Sequence, residues 1–207
     1  MKKFQELRFD KVKALQELSD LENLLRTKTD LSESGDIMPL FKFKHYLSMS
    51  LGFYDSDLIP NGFATEYELF GDFCCDLVIR NSVKKRYVFV EFEDARDESI
   101  FKTVGKKATK EWAPRFEHGY SQISDWFWKL DDMKTTTEFE DKFGDRDIEY
   151  IGLLVIGRDS RIHDTKEIRR LSFRTKMTVV NSKKIHCVTY DQLLEDLKSK
   201  SSLIPQL

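Results

Sequence analysis

Cysteine is scarce and badly placed for cross-linking. The 207-residue chain has three: Cys74 and Cys75 are neighbours, Cys187 stands apart, and no Cys-x-x-Cys occurs. They form no disulfide framework, which points to a reducing, intracellular setting. No apolar run approaches the roughly 20 residues of a membrane span. The lysine-bearing start is not followed by the apolar segment of a secretory signal. A cytoplasmic protein without a membrane partner is expected. There is no Gly-rich phosphate loop, which argues against an NTPase. His45, His118, His163 and His186 show no ligand spacing with one another or with cysteine, which argues against a zinc site. Charge of one sign is also missing: 34 Lys and Arg face 36 Asp and Glu, for a formal net charge of -2. Any nucleic-acid binding must therefore come from a local patch.

What remains suits one domain with a substantial core, because 40% of residues are hydrophobic and 16 are Phe. Asp10 can cap a helix with Ala14, Leu18, Leu21 and Leu25 on one stripe, widened by Leu15 and Leu24. Residues 1–30 are thus an N-terminal helix, either docked on the core or an arm for homo-oligomer assembly; residues 31–207 form the main domain. Thr27 to Gly35 is polar and turn-prone. A second helix is expected from Pro39 through Leu40, Phe43, Leu47 and Leu51. Three strands follow in close order, Ala64 to Phe70, Phe73 to Ile79 and Arg86 to Glu93, with tight turns at Gly71-Asp72 and between Asn81 and Lys85. A basic, irregular stretch from Lys102 to Arg115 leads to a helix over Glu117 to Asp131. Asp131 to Asp147 reads as a loop. A buried central strand over Ile148 to Ile156 comes next, then a helix over Arg161 to Arg174, a strand over Ile185 to Tyr190, and a terminal helix capped by Asp191. This order predicts an α/β fold: a mixed sheet flanked by helices.

Two of these strands carry acids where a buried strand should have none. Alternation puts Tyr87, Phe89, Glu91 and Glu93 on one face and Val88, Val90 and Phe92 on the other. Glu91 and Glu93 then lie roughly 6.5 Å apart on one face. Asp76 interrupts the apolar run of the preceding strand. If the two strands pair, Asp76 and Glu91 can converge on one cation. Mg²⁺ is bound through one or two carboxylates, with waters and phosphate oxygens completing its shell. The alternative is a solvated strand edge where these acids pair with Lys or Arg. Lys102, Lys106, Lys107, Lys110 and Arg115, opposed in that stretch only by Glu111, are the candidate nucleic-acid-binding residues. A solvated basic loop is the other reading. Trp112, Trp126 and Trp128 can stack on bases or fill the core. The arginines between Arg161 and Arg174 either face phosphates or pair with Asp159, Asp164 and Glu167. His118 either assists proton transfer or makes a structural hydrogen bond.

At these acids the chain resembles the PD-(D/E)XK nuclease superfamily, and more closely the nuclease domain of Shedu-type bacterial anti-phage defence proteins. The matching stretches are Leu31-Ser-Glu-Ser-Gly-Asp-Ile-Met-Pro-Leu-Phe41, Glu68-Leu-Phe-Gly-Asp-Phe73, Asp76-Leu-Val78, Val90-Glu-Phe-Glu-Asp-Ala95, Phe116-Glu-His-Gly-Tyr-Ser-Gln-Ile-Ser-Asp-Trp-Phe-Trp-Lys-Leu130 and Val188-Thr-Tyr-Asp191. Together they span about residues 31 to 195, and the stretches at 90–95 and 116–130 are the specific ones. The resemblance implies a restriction-endonuclease-like fold that hydrolyses phosphodiester bonds of nucleic acid, DNA rather than RNA, with Mg²⁺ or Mn²⁺. By the same resemblance Asp76 and Glu91 are metal-binding acids, Glu33 is a further acid of the metal site, and Gln122 is a helix residue near the active site. The chain departs from the motif at Glu93, where the superfamily has the lysine that orients water and stabilises developing charge. Three outcomes stay open. Glu93 binds a second metal or orients water, a lysine such as Lys102 takes the role, or the site is silent and the chain is a nucleic-acid-binding or regulatory module.

Overall fold

The computed structural model describes residues 3–203, with side chains through Ser201. The elements, in order, are β1 (Gln5–Glu6), α1 (Lys11–Thr27), a π-helical turn (Glu33–Ile37), α2 (Met38–Phe43), α3 (His45–Ser50), a 3₁₀ turn (Leu51–Tyr54), β2 (Gly62–Leu69), β3 (Phe73–Asn81) and β4 (Arg86–Phe92). They continue as β5 (Phe101–Lys102), β6 (Glu111–Trp112), α4 (Pro114–Met133), α5 (Thr137–Phe143), β7 (Glu149–Val155), a 3₁₀ turn (Asp159–Arg161), α6 (Thr165–Met177), β8 (Val179–Val180), β9 (Lys183–Val188) and α7 (Tyr190–Leu203). None of the described helices is long and apolar enough to cross a membrane.

The main sheet runs β1-β2-β3-β4-β7-β9-β8. Its centre, β4-β7-β9, is parallel, because helices α4 and α5 carry the chain from β4 to β7, and α6 carries it from β7 to β9. The β2-β3-β4 meander is antiparallel, as the close spacing of the three runs demands. Strand alternation divides the core in two. Leu77, Ile79, Val88, Val90, Phe92, Leu153 and Val155 pack against α1, α2, α3 and α7. Val78, Tyr87, Phe89 and Leu154 pack against α4 and α5. The mixed α/β sheet flanked by helices is the expected fold class.

Asp10 caps α1 by accepting the N–H groups of Val12 (2.9 Å) and Lys13 (3.1 Å), and the Ala14, Leu18, Leu21 and Leu25 stripe is buried in the first core. The single helix expected from Pro39 to Leu51 is instead broken at Lys44, whose φ of -103° and ψ of 82° are not helical, and Phe43 is left exposed. The stretch from Asp131 to Asp147 is not all loop. Thr136 caps α5 by accepting the Phe139 N–H (3.2 Å), and Gly144, at φ 74°, ends it. Thr189, rather than Asp191, caps α7, accepting the Gln192 N–H at 3.0 Å. The Asp191 carboxylate instead receives two N–H groups of Arg158, each at 2.9 Å.

Two glycines let α4 lie close on β7. A Cβ on Gly152 would stand 2.5 Å from Ile123 Cγ2, and one on Gly119 would stand 2.6 Å from Leu154 Cδ1. That approach brings the first two turns of α4 over the end of β4.

Candidate metal and phosphate site

The β3-β4 ladder ends at the Leu77–Val90 pair. One step further on, the Asp76 carboxylate accepts the main-chain N–H of Phe92 at 2.8 Å. A side chain thus takes over from a strand carbonyl, fastening β3 to β4 where the backbones part. Across β3 the pairing runs Thr65 with Leu77 and then Tyr67 with Cys75, passing over Glu66 and Asp76. Glu66 has a φ of 49°, and Ala64, Tyr67, Cys75 and Val78 all face the second core. Alternation therefore slips at this step, a local irregularity of the sort that re-aims a side chain. Asp76 is brought within hydrogen-bonding reach of the Glu91 carboxyl.

Burial is the main influence on both acids; the Asp76 charge raises Glu91, whereas a hydrogen bond with Glu91 lowers Asp76. Burial lifts the Asp76 carboxyl to about 7, partly offset by the Phe92 N–H, with the charges of Glu33 and Glu93 adding to the rise. Burial and then the Asp76 charge push Glu91 well above the usual carboxylate range, against a hydrogen bond donated to its Oε1 by Gln122 Nε2. Glu93 is also raised by burial, offset by His118 and Arg115. Its side chain is 1% exposed. His118 Nδ1 lies 2.9 Å from Glu93 Oε1 and Arg115 Nε lies 3.0 Å from Oε2, the latter without hydrogen-bond alignment.

Glu33 comes from the π-helical turn. That turn forms because Asp36 Oδ2 accepts both the N–H (2.9 Å) and the hydroxyl (3.0 Å) of Ser32. The Leu31–Ala95 bridge ties the segment to the chain just beyond β4. Glu33 Oε2 lies 3.9 Å from Arg115 Nη1. Arg115, His118 and Gln122 fall at i, i+3 and i+7 of α4, one face of the helix turned to Glu93 and Glu91. Gln122 is expected near the active site, His118 as a proton-transfer or structural group and Arg115 as a phosphate contact; here His118 makes a hydrogen bond with Glu93 and Arg115 lies beside the acids. The 3-4 spacing of Arg115, His118 and Gln122 is the sequence signal that places them on one face.

The candidate nucleic-acid-binding residues divide. Arg115 lies among carboxylates rather than beside the lysines. Lys107 pairs with Glu111, and Lys110 pairs with the buried Glu167 at 3.3 Å. Lys102 is half-buried and Lys106 exposed. The arginines between Arg161, in the 3₁₀ turn, and Arg174, in α6, are largely occupied. Arg161 meets Asp30, Arg170 lies over Phe101 and Trp112, and Arg174 pairs with Glu117 while lying over Tyr120. Trp112 is stacked between Phe101 and Phe116, and Trp126 is in the core. Trp128 is exposed.

Among the described residues, no three His, Cys, Asp or Glu side chains are arranged to hold a metal ion together. Two carboxylates suffice for Mg²⁺ when water and phosphate supply the rest. The donor chemistry fits: hard oxygens from adjacent strands, both pushed up by burial and Glu91 further by the Asp76 charge, would be relieved by a divalent cation.

The family model described as Shedu protein SduA, C-terminal, matches residues 15–194. The chain belongs to the Shedu SduA C-terminal family. A search of curated proteins gave no match. Membership associates this SduA-type domain with anti-phage defence. The match extends from within α1 to within α7 and so includes Glu33, Asp76, Glu91, Glu93, Arg115 and Gln122.

Proposed function

We propose that this Shedu-family chain is a divalent-metal-dependent endonuclease of PD-(D/E)XK type that hydrolyses phosphodiester bonds of DNA. The observation that carries this reading is the contact between half-buried Asp76 and buried Glu91, two acids from adjacent strands that meet where the ladder between them ends. Asp76 and Glu91 would hold the ion, with Glu33 close enough to raise the Asp76 carboxyl by its charge. Mg²⁺ or Mn²⁺, when bound, lowers the pKa of a water and polarises a phosphoryl oxygen. Asp76 is kept in place by Phe92, and Gln122 restrains the Glu91 carboxylate from the helix side. Tyr190 donates its hydroxyl to the Glu93 carbonyl at 2.7 Å, holding the end of β4 from the opposite layer. Lys102 and Lys106 are the residues of the basic loop from which phosphate contacts are expected.

A second reading is favoured by Glu93, which stands where the resembled motif has lysine. On that reading the chain binds or regulates nucleic acid and does not cut it. A cleavage assay over DNA and RNA forms, with Mg²⁺ and with Mn²⁺, separates the two. The nuclease reading expects metal-dependent cleavage of DNA that Asp76→Ala and Glu91→Ala abolish while binding persists. A wild type that binds DNA and never cuts it with any divalent ion leaves the silent module.

A further inference from the structure

Acids crowd the end of β4, and a phosphodiester is itself an anion. Glu33 and Glu93 both add to the rise of the Asp76 and Glu91 carboxyls, and Asp94 follows on the chain. A substrate approaching this group needs a positive charge at the acids, not only on a loop beside them. The structure supplies one. Arg115, in the first turn of α4, has Nε 3.0 Å from Glu93 Oε2 and 3.6 Å from Asp94 Oδ2. Its Nη1 stands 3.9 Å from Glu33 Oε2, beyond hydrogen-bond length.

The pair is asymmetric in exposure. The Glu93 side chain is 1% exposed and the Arg115 side chain 43%. Glu93 is further held by His118 Nδ1 at 2.9 Å, and its main-chain N–H donates to the Val155 carbonyl at 2.9 Å. The acid is thus a fixed anchor, and the guanidinium is the part that meets solvent. With the Nε edge turned to Glu93 and Asp94, the terminal N–H donors remain, in the planar geometry suited to two phosphate oxygens.

We propose that Arg115 is a catalytic residue of the cleavage reaction, contacting the scissile phosphate, and that Glu93 is its positioning residue rather than a metal ligand. The proposal rests on the nuclease reading and deepens it. The charge that the resembled motif carries on the strand at position 93 is carried here on the helix, held by the acid that replaced it. A guanidinium kept beside the acids by this ion pair stabilises charge that grows on the phosphoryl oxygens as the bond to the leaving oxygen breaks.

The test uses the full chain, a labelled DNA duplex and Mn²⁺, with Arg115→Gln, Arg115→Lys, Glu93→Gln and the double variant Glu93→Lys/Arg115→Gln. Thermal melts restrict the comparison to folded protein. Arg115→Gln is expected to lower kcat by about 100-fold or more, with KM for DNA changed by less than about threefold. Mn²⁺ affinity, read by calorimetry, is expected to stay within about twofold for Arg115→Gln and Glu93→Gln, since neither residue holds the ion. Arg115→Lys and the double variant should each recover about tenfold over Arg115→Gln, because each restores a cation. Arg115→Gln cleaving at the wild-type rate, while Asp76→Asn is inactive, would overturn the proposal and leave the nuclease reading intact. Loss of Mn²⁺ binding in Glu93→Gln would likewise overturn it, making Glu93 a ligand. A wild type that cuts no DNA with either ion would sink the nuclease reading and the catalytic role of Arg115 together.

Discussion

The Asp76 carboxylate accepts the Phe92 N–H at 2.8 Å, so the acid of β3 is anchored to the strand that carries Glu91. The contact does two things at once. It closes the gap where the ladder stops, and it keeps one carboxylate oxygen engaged while the side chain stays beside Glu91. Half-buried Asp76 and buried Glu91 resist being charged together, so a proton or a cation shared between them is stabilising.

The pH dependence of the metal-free protein follows chiefly from the burial of these carboxyls, to which the Asp76 charge adds at Glu91. Asp76 is raised to about 7 and Glu91 is raised further, whereas both titrate near pH 4 in an unfolded chain. The folded state therefore keeps protons that the unfolded state releases. The contribution to stability is complete below about pH 4 and is lost as pH rises through about 7. Melting temperature without metal is expected to fall between about pH 5 and pH 8, and Glu91→Gln should flatten that slope. Equal slopes in wild type and variant would remove the coupling.

Glycine at position 119 is required by the closeness of α4 to the sheet. A Cβ there would lie 2.6 Å from Leu154 Cδ1, 3.0 Å from Glu93 Cγ and 3.1 Å from Glu93 Oε1. Gly119→Ala should cost about 1–3 kcal/mol by overpacking and reduce cleavage by displacing Glu93. Urea unfolding beside a cleavage assay checks both. A variant of wild-type stability and rate would mean that the helix yields easily.

Arg158 links three parts of the chain that are distant in sequence. It donates to both oxygens of Asp191 and to the carbonyls of Leu25 and Lys28, all at 2.9 Å. It thereby satisfies the C-terminal end of α1 and joins it to the start of α7. Arg158→Ala should destabilise the fold by about 2 kcal/mol or more, since it also leaves the Asp191 carboxylate without its cation. Urea denaturation measures this, and a loss under about 0.5 kcal/mol, the range of an ordinary surface substitution, would show that the network is dispensable.

Much of this architecture was legible because the patterns were local. The alternation of β4 separated Tyr87, Phe89, Glu91 and Glu93 from Val88, Val90 and Phe92, and the two cores divide accordingly. Asp10 and the leucine stripe defined α1. The break at Lys44 was not legible, because Leu40, Leu47 and Leu51 keep a helical period across it. Short α5 was hidden by charge, its two buried residues Phe139 and Phe143 giving too little periodicity among polar neighbours. Asp76 beside Glu91 followed from simple strand pairing, but the slipped alternation at Glu66 and the Phe92 contact depend on backbone geometry that no residue pattern records. Arg115 was grouped with the lysines by sequence proximity. The helix carries it instead to Glu93, a tertiary placement invisible to a count of charges.

The account depends on one cation shared by Asp76 and Glu91. Calorimetric titration of Mn²⁺ into wild type, Asp76→Asn and Glu91→Gln near pH 8 tests this most directly. The wild type should bind, and each variant should bind at least about tenfold more weakly while remaining folded. Equal affinity in all three proteins, or no binding by the wild type, would contradict it.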